Sequence, residues 1–156
     1  EYRAIYLCGE ILYIYKKKKP YVIGDGIKTV RDLIDEKFAK EELLDVCKEL
    51  DKEYIPEKGE EVTISWKHNL SGGAEPILVD ETDEYLNRVK ELAVNTGNAM
   101  NIKFASVDIA LTNKKEILVM EVNGSVCMNR FAEIIPNGYE IAKSVYAKAV
   151  DKMFEL

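Results

Sequence analysis

Two apolar runs rich in β-branched residues, Val107-Asp108-Ile109-Ala110-Leu111 and Glu116-Ile117-Leu118-Val119-Met120-Glu121-Val122-Asn123, flank the polar stretch Thr112-Asn113-Lys114-Lys115. That pattern predicts a β-hairpin, which constrains the fold more than any other stretch of the chain. Side chains alternate faces along a strand, so Glu121 and Asn123 share a face. A two- or four-residue turn centred on Asn113 and Lys114 pairs Asp108 with Val119 and makes Glu121 its diagonal neighbour, about 7 Å away at the backbone. Asp108, Glu121 and Asn123 then converge on one spot. Two carboxylates and an amide on a rigid sheet make a hard-oxygen site suited to Mg²⁺ or Mn²⁺, with phosphate oxygens and water completing the octahedron. The single histidine and the scattered cysteines argue against zinc. The spacing alone fits equally well a half-exposed hairpin whose outer face is acidic. After Asn123, the stretch Gly124 to Arg130 leaves the strand pattern abruptly, as a loop at the mouth of a site would.

With 156 residues, 47% of them apolar, the chain can form one sizeable core. A net charge of -6 and a pI near 5.0 argue against nucleic-acid and membrane surfaces as partners. Lys16-Lys17-Lys18-Lys19 is the only basic run. No stretch supplies the roughly 18 uninterrupted apolar residues of a membrane span, and no signal peptide opens the chain, so a cytoplasmic protein is expected. Cys8, Cys47 and Cys127 are an odd number at unrelated spacings, which fits reduced thiols; the first two fall in apolar patterns and are expected in the core. Starting at Glu1, without an initiator Met and already in strand pattern, the chain reads as a piece of something longer. The composition leaves a homo-oligomer open.

Tyr2 to Leu7 and Ile11 to Tyr15 are predicted strands joined by a tight turn at Cys8-Gly9-Glu10. Alternation places Arg3 on the face opposite Tyr2, Ala4 and Tyr6, where it is either a cation for a ligand or a solvated edge arginine. Pro20 to Gly26 approaches a glycine turn, and Thr29 with Asp32 three residues on predicts a capped helix buried through Val30, Leu33 and Ile34. A second helix is predicted over Glu41 to Leu50. Val62 to Trp66 reads as a strand that leads into Lys67-His68-Asn69-Leu70-Ser71-Gly72-Gly73-Ala74. There Gly72 and Gly73 let backbone amides approach an anion, with Asn69 and Ser71 adding side-chain hydrogen bonds; an ordinary flexible loop is the plainer reading. Thr82 or Asp83 is expected to cap a helix running to about Met100, and Tyr139 to Phe154 to form a closing amphipathic helix. Irregular alternation of hairpins and helices argues for an α+β fold, an antiparallel sheet with packed helices.

Taken together, several of these segments resemble the C-terminal part of an ATP-grasp ligase. The similarity is greatest to the branch containing cyanophycin synthetase and the ATP-grasp domain of bifunctional glutathione synthetase, with the ribosomal-protein-S6 glutamate ligase further off. Glu1-Tyr2-Arg3 with Gly9-Glu10 is similar to the start of a strand pair in that family. Val22-Ile23-Gly24-Asp25-Gly26-Ile27-Lys28-Thr29 resembles a segment characteristic of the branch. Asn69-Leu70-Ser71-Gly72-Gly73 resembles its substrate loop, and Val107-Asp108-Ile109 with Glu121-Val122-Asn123 its metal signature. Lys17 stands where the family usually has an arginine, which replaces a bidentate guanidinium by a point charge. Val126 and Cys127 stand where a proline and glycine are common.

The resemblance implies that the whole chain, residues 1–156, is the C-terminal portion of an ATP-grasp domain, to be completed by an upstream subdomain. It implies ATP and Mg²⁺ (or Mn²⁺) as cofactors, and amino acids or peptides as substrates. The reaction would run through an acyl phosphate, with Asp108, Glu121 and Asn123 on the metal and Arg3 and Lys17 stabilising developing charge. Asn69, Ser71, Gly72 and Gly73 would orient the substrate. Two alternatives stand beside this reading: a degenerate ATP-grasp-like binding module without ligase activity, and an unrelated metal-binding α+β domain.

Overall fold

The structure, a computed structural model, describes residues 1–38 and 45–155. In chain order its elements are β1 (Tyr2–Leu7), β2 (Glu10–Lys18), β3 (Tyr21–Ile23), α1 (Val30–Lys37), β4 (Glu61–Thr63), a 3₁₀ turn (Leu70–Gly72), β5 (Glu75–Leu78), α2 (Leu86–Ala99), β6 (Phe104–Leu111), β7 (Ile117–Asn123), α3 (Asn129–Ile134) and α4 (Gly138–Met153). The chain divides into two units, Glu1–Lys16 with Pro76–Leu156, and Lys17–Glu75. The α+β expectation holds.

The first unit is built on a five-stranded sheet in the order β5-β2-β1-β6-β7, and β1 pairs antiparallel with both β2 and β6. Cys8 and Gly9, at φ 46° and 96°, make the β1–β2 turn, a left-handed pair whose twist suits a two-residue hairpin. One face of the sheet carries Tyr2, Ala4, Tyr6, Val107 and Ile109, buried against Val89 and Ala93 of α2. The helix presents Val89, Ala93 and Gly97 at intervals of four, a stripe narrow enough to lie flat on the strands. At Gly97 the approach is closest: an added Cβ would lie 2.5 Å from the Tyr6 ring, whose hydroxyl donates to Asn98 Oδ1 at 2.8 Å. The helix ends in a Schellman motif, with Asn101 left-handed and the Ile102 amide donating to the Gly97 carbonyl at 3.1 Å.

That helix begins at Leu86, later than its sequence suggests, because Asp83 is spent elsewhere. Its carboxylate takes the Tyr2 hydroxyl at 3.0 and 3.1 Å and Lys16 Nζ at 2.5 Å, besides the Tyr85 amide at 2.9 Å. The stretch expected as loop gives way at Asn129 to the short helix α3. It packs on α4, and Phe131 is fully buried.

In the second unit β3 pairs antiparallel with β4, and Val22, Val30, Leu33, Phe38 and Ile64 form a small core. The Thr29–Asp32 capping box forms as its sequence predicts. Asp25 Oδ1 accepts from the amides of Ile27 and Lys28 at 2.8 and 2.7 Å, turning the chain into that cap. Gly24 exchanges backbone hydrogen bonds with Glu60 and Gly59, both at 2.8 Å, so closely that a Cβ would lie 2.2 Å from the Glu57 carbonyl oxygen. The Gly-Asp-Gly segment is thus an architectural turn. Of the helix expected over 41–50, residues 41–44 lie outside the described residues. Residues 45–50 form no helix, because the Cys47 amide donates to Ile64 at 2.9 Å instead of to a helical carbonyl. Cys8 and Cys47 are half-buried, not core, and all three cysteines are free thiols.

Candidate functional site

The hairpin of β6 and β7 closes differently from the simple turn its sequence suggests. The Thr112 amide donates to the Glu116 carbonyl at 2.9 Å around a three-residue loop whose last residue, Lys115, is left-handed at φ 62°. Ile109 therefore pairs with Val119, not Asp108 with Val119. A bulge follows: Met120 is the extra residue, and Asp108 pairs directly with Glu121, and Ser106 with Asn123. The convergence expected of Asp108 and Glu121 is realised as a direct cross-strand pair, closer than the diagonal one.

Pairing continues across β1, where Arg3 lies opposite Asp108 on one side and Tyr15 of β2 on the other. Tyr15, Arg3, Asp108 and Glu121 thus form one row across four strands, on the face away from α2. Arg3 grips Asp108 through Nε and Nη2, both at 2.7 Å to the two carboxylate oxygens, a fork-on-fork pair. Asp108 is 3% exposed. Burial works against the Arg3 charge, but the Asp108 hydrogen bonds and charge outweigh it and hold the guanidinium still more firmly protonated than usual. Glu121 is exposed and Asn123 half-buried at the open end of the row.

Phe131 of α3 covers the other end, its ring centroid 4.9 Å from Tyr15 and 5.2 Å from Tyr13. The connecting loop is pinned to α4 by Tyr146, whose hydroxyl accepts from the Met128 amide at 3.0 Å and donates to the Val126 carbonyl at 3.1 Å. Tyr15 and Ser106 escape a sequence reading because both sit inside strand runs that look like core. The only signal is parity, since Tyr15 shares a face with Arg3 once the β1–β2 register is known.

Lys17 and the 69–73 loop belong to the second unit. Lys17 is buried, 5% exposed, an unusual setting for a lysine. Asn69 shapes its loop from within: Oδ1 accepts from the Ser71 amide and hydroxyl at 3.3 and 3.0 Å, and its carbonyl accepts from the amides of Gly72 and Ala74 at 2.9 and 3.2 Å. Gly73 closes the turn at φ 88°, a conformation that favours glycine.

Among the described residues no group of three or more His, Cys, Asp or Glu stands close enough to hold a metal ion. Asp108, Glu121 and Asn123 offer two carboxylates and an amide. Each Asp108 oxygen accepts one hydrogen bond from Arg3, and a carboxylate has about four lone-pair sites, so Arg3 alone does not saturate it. Such a partial set suits Mg²⁺, which is bound by one or two carboxylates plus phosphate oxygens and water rather than by an all-protein cage.

The fold is that of an ATP-grasp protein: the RimK-like ATP-grasp domain matches residues 65–148, more than half of the chain, and the chain belongs to that family. Within it, the similarity is to the bifunctional glutathione synthetase branch. The chain is 26% identical over 180 residues to the glutathione biosynthesis bifunctional protein GshAB of Listeria monocytogenes serotype 4b, covering 99% of this chain and 22% of that protein. It is 25% identical over 148 residues to the Clostridium perfringens protein of the same name, covering 83% of this chain and 19% of that one. The bifunctional glutathione synthetase structure from Pasteurella multocida superimposes with a TM-score of 0.58 at 23% identity, over 94% of this chain and 24% of that one. The chain therefore spans about a fifth of the length of the curated relatives it matches.

Proposed function

We propose that this chain is the C-terminal portion of an ATP- and Mg²⁺-dependent carboxylate–amine ligase, working with an upstream ATP-grasp subdomain. The observation that carries the reading is the Arg3–Asp108–Glu121 row, a fixed cation and two carboxylates side by side in a chain of this family. In the reaction a substrate carboxylate oxygen attacks the terminal phosphorus of ATP and ADP leaves. An amine then attacks the acyl carbon, phosphate leaves, and the amine gives up a proton as the amide forms. Asp108, Glu121 and Asn123 would hold Mg²⁺, which supplies charge neutralisation at the phosphates. Arg3 and Lys17 act as fixed cations toward the acyl phosphate and the tetrahedral adduct. The 69–73 loop orients the carboxylate, where a shift of about 1 Å costs some hundredfold in rate.

Amino acids or peptides are the substrate class, by analogy with relatives named for glutathione biosynthesis. Among the described residues no helix is long and apolar enough to cross a membrane, in keeping with a cytoplasmic enzyme. The test is ADP release by the full-length protein with paired amino-acid or peptide acceptors. Asp108→Asn and Glu121→Gln should each lower turnover by at least about a hundredfold, as loss of an electrostatic group does. A binding module without ligase chemistry would show no acceptor-dependent ADP release in the parent and would keep its ligand in both variants.

A further inference from the structure

Among the described residues, one buried side-chain polar atom has no hydrogen-bond partner, the hydroxyl of Tyr15. Its residue is fully buried, at 0% exposure. An unmade hydrogen bond of this kind costs about 1–3 kcal/mol and is rare in folded proteins, so its place in the molecule asks for a reason. The place is the end of the functional row. Tyr15 is the cross-strand partner of Arg3, on the side away from Asp108, and Phe131 closes it from above at 4.9 Å. The guanidinium stands close enough to act on the hydroxyl through its charge and through a loose hydrogen-bond-like approach, yet the contact falls short of a well-formed hydrogen bond.

Arg3 has five N–H donors in a rigid plane, and its Nε and Nη2 are turned to Asp108. An anionic ligand that competes with Asp108 for this guanidinium must rotate or slide it. The nearest neighbour in the row that can accept an N–H during such a move is Tyr15, because the carboxylates lie on the opposite side. Burial pushes the Tyr15 phenol up, so it stays protonated and keeps its lone pairs for an incoming donor.

We infer that Tyr15 is a positioning residue: its hydroxyl accepts an Arg3 N–H when the guanidinium turns from Asp108 toward a phosphate-type oxyanion. The unpaired hydroxyl is a cost that is relieved when the guanidinium turns, which biases the site toward the ligand. This rests on the phosphate-facing role proposed for Arg3, and the test separates the two.

The variant is Tyr15→Phe in the full-length protein, which removes one oxygen and leaves the ring against Phe131. Without ligand its thermal midpoint should equal or exceed that of the wild type. Its dissociation constant for a non-hydrolysable ATP analogue with Mg²⁺ should rise about tenfold, the worth of one hydrogen bond to a charged group. In the wild type the Arg3 Nε–H resonance should shift on adding the analogue, and in the variant that shift should shrink. A lower midpoint with unchanged affinity would mean that the hydroxyl has a permanent structural partner, such as a bridging water, and would overturn the inference. Unchanged affinity with an unchanged midpoint would overturn it too. An Arg3 resonance indifferent to the analogue in the wild type would sink both the inference and the role given to Arg3. If the resonance responds and the variant binds more weakly, but no acceptor supports ADP release, the ligase reading alone fails.

Discussion

Arg3 and Asp108 face each other across β1 and β6 and join through two parallel hydrogen bonds of 2.7 Å, so the cation and one proposed metal ligand are held by each other. Removing one partner leaves the other charged in a buried place, a loss of about 3–5 kcal/mol for a fully buried pair. Arg3 keeps 16% of its side-chain surface in solvent, so the lower end applies. Asp108→Asn should therefore lower the thermal midpoint by about 6–12 °C, taking about 2–4 °C per kcal/mol for a chain this long. Arg3→Lys should recover part of the loss but not the fork. Calorimetry of the two variants measures both.

Asp83 ties the approach to α2 to the sheet through Tyr2 and Lys16. Burial alone would push its carboxyl up, but hydrogen bonds from Lys16, the Tyr85 amide and Tyr2 outweigh burial and hold it below the usual carboxylate range. A folded-state value below the unfolded one gives stability that is fully present above about pH 4, where an unfolded Asp is ionised, and lost as pH falls through the folded value. Urea midpoints should thus drop between pH 5 and strongly acidic solution, and Asp83→Asn should flatten that limb. At pH 7 the variant should be the less stable protein.

At Gly97 two effects oppose each other. Alanine is the better helix former by about 1 kcal/mol. Its methyl group would nevertheless meet the Tyr6 ring at 2.5 Å, and Tyr6 is buried and bonded to Asn98. Overpacking of this kind costs about 1–3 kcal/mol, so Gly97→Ala should destabilise in spite of propensity. Pairing it with Tyr6→Leu should restore part of the loss, which a double-mutant cycle would read.

Gly24 is tighter still, because the obstacle is backbone: a methyl group would sit 2.2 Å from one carbonyl oxygen and 2.7 Å from the next. Gly24→Ala should strip hydrogen-exchange protection from the Gly24 and Gly59 amides, whose bonds define that turn. Gly59→Ala tests a different point, since its φ of 88° is strained for alanine although the space is open. It should cost less.

Strands β1, β2, β6 and β7, the capped helix α1 and the closing helix are legible in the sequence because each rests on a local signal: alternation, a Thr-x-x-Asp box, or a helical stripe. The helix expected through Leu50 failed because its apolar spacing was local evidence for a segment whose Cys47 amide is claimed by a distant carbonyl. The late start of α2 has the same origin, since Asp83 looks like a cap until Tyr2 and Lys16 compete for it. In the site, Arg3, Asp108, Glu121 and Asn123 could be named from residue type and parity. That Arg3 would close on Asp108, and that Tyr15 would stand behind it, needed the order of strands, which no local pattern encodes.

The bulge at Met120 has a bearing on how this chain can vary. With the three-residue loop as it stands, an unbulged β7 would put Glu121 opposite Val107 and turn it, with Asn123, toward α2. The spare residue reverses that parity, so losing the bulge keeps Glu121 and Asn123 facing outward only if one residue between the loop and Glu121 is lost with it. Length in this segment is therefore under as tight a constraint as identity. Drift that irons out the bulge at the present strand length would turn Glu121 and Asn123 inward and leave Asp108 as the single carboxylate beside Arg3.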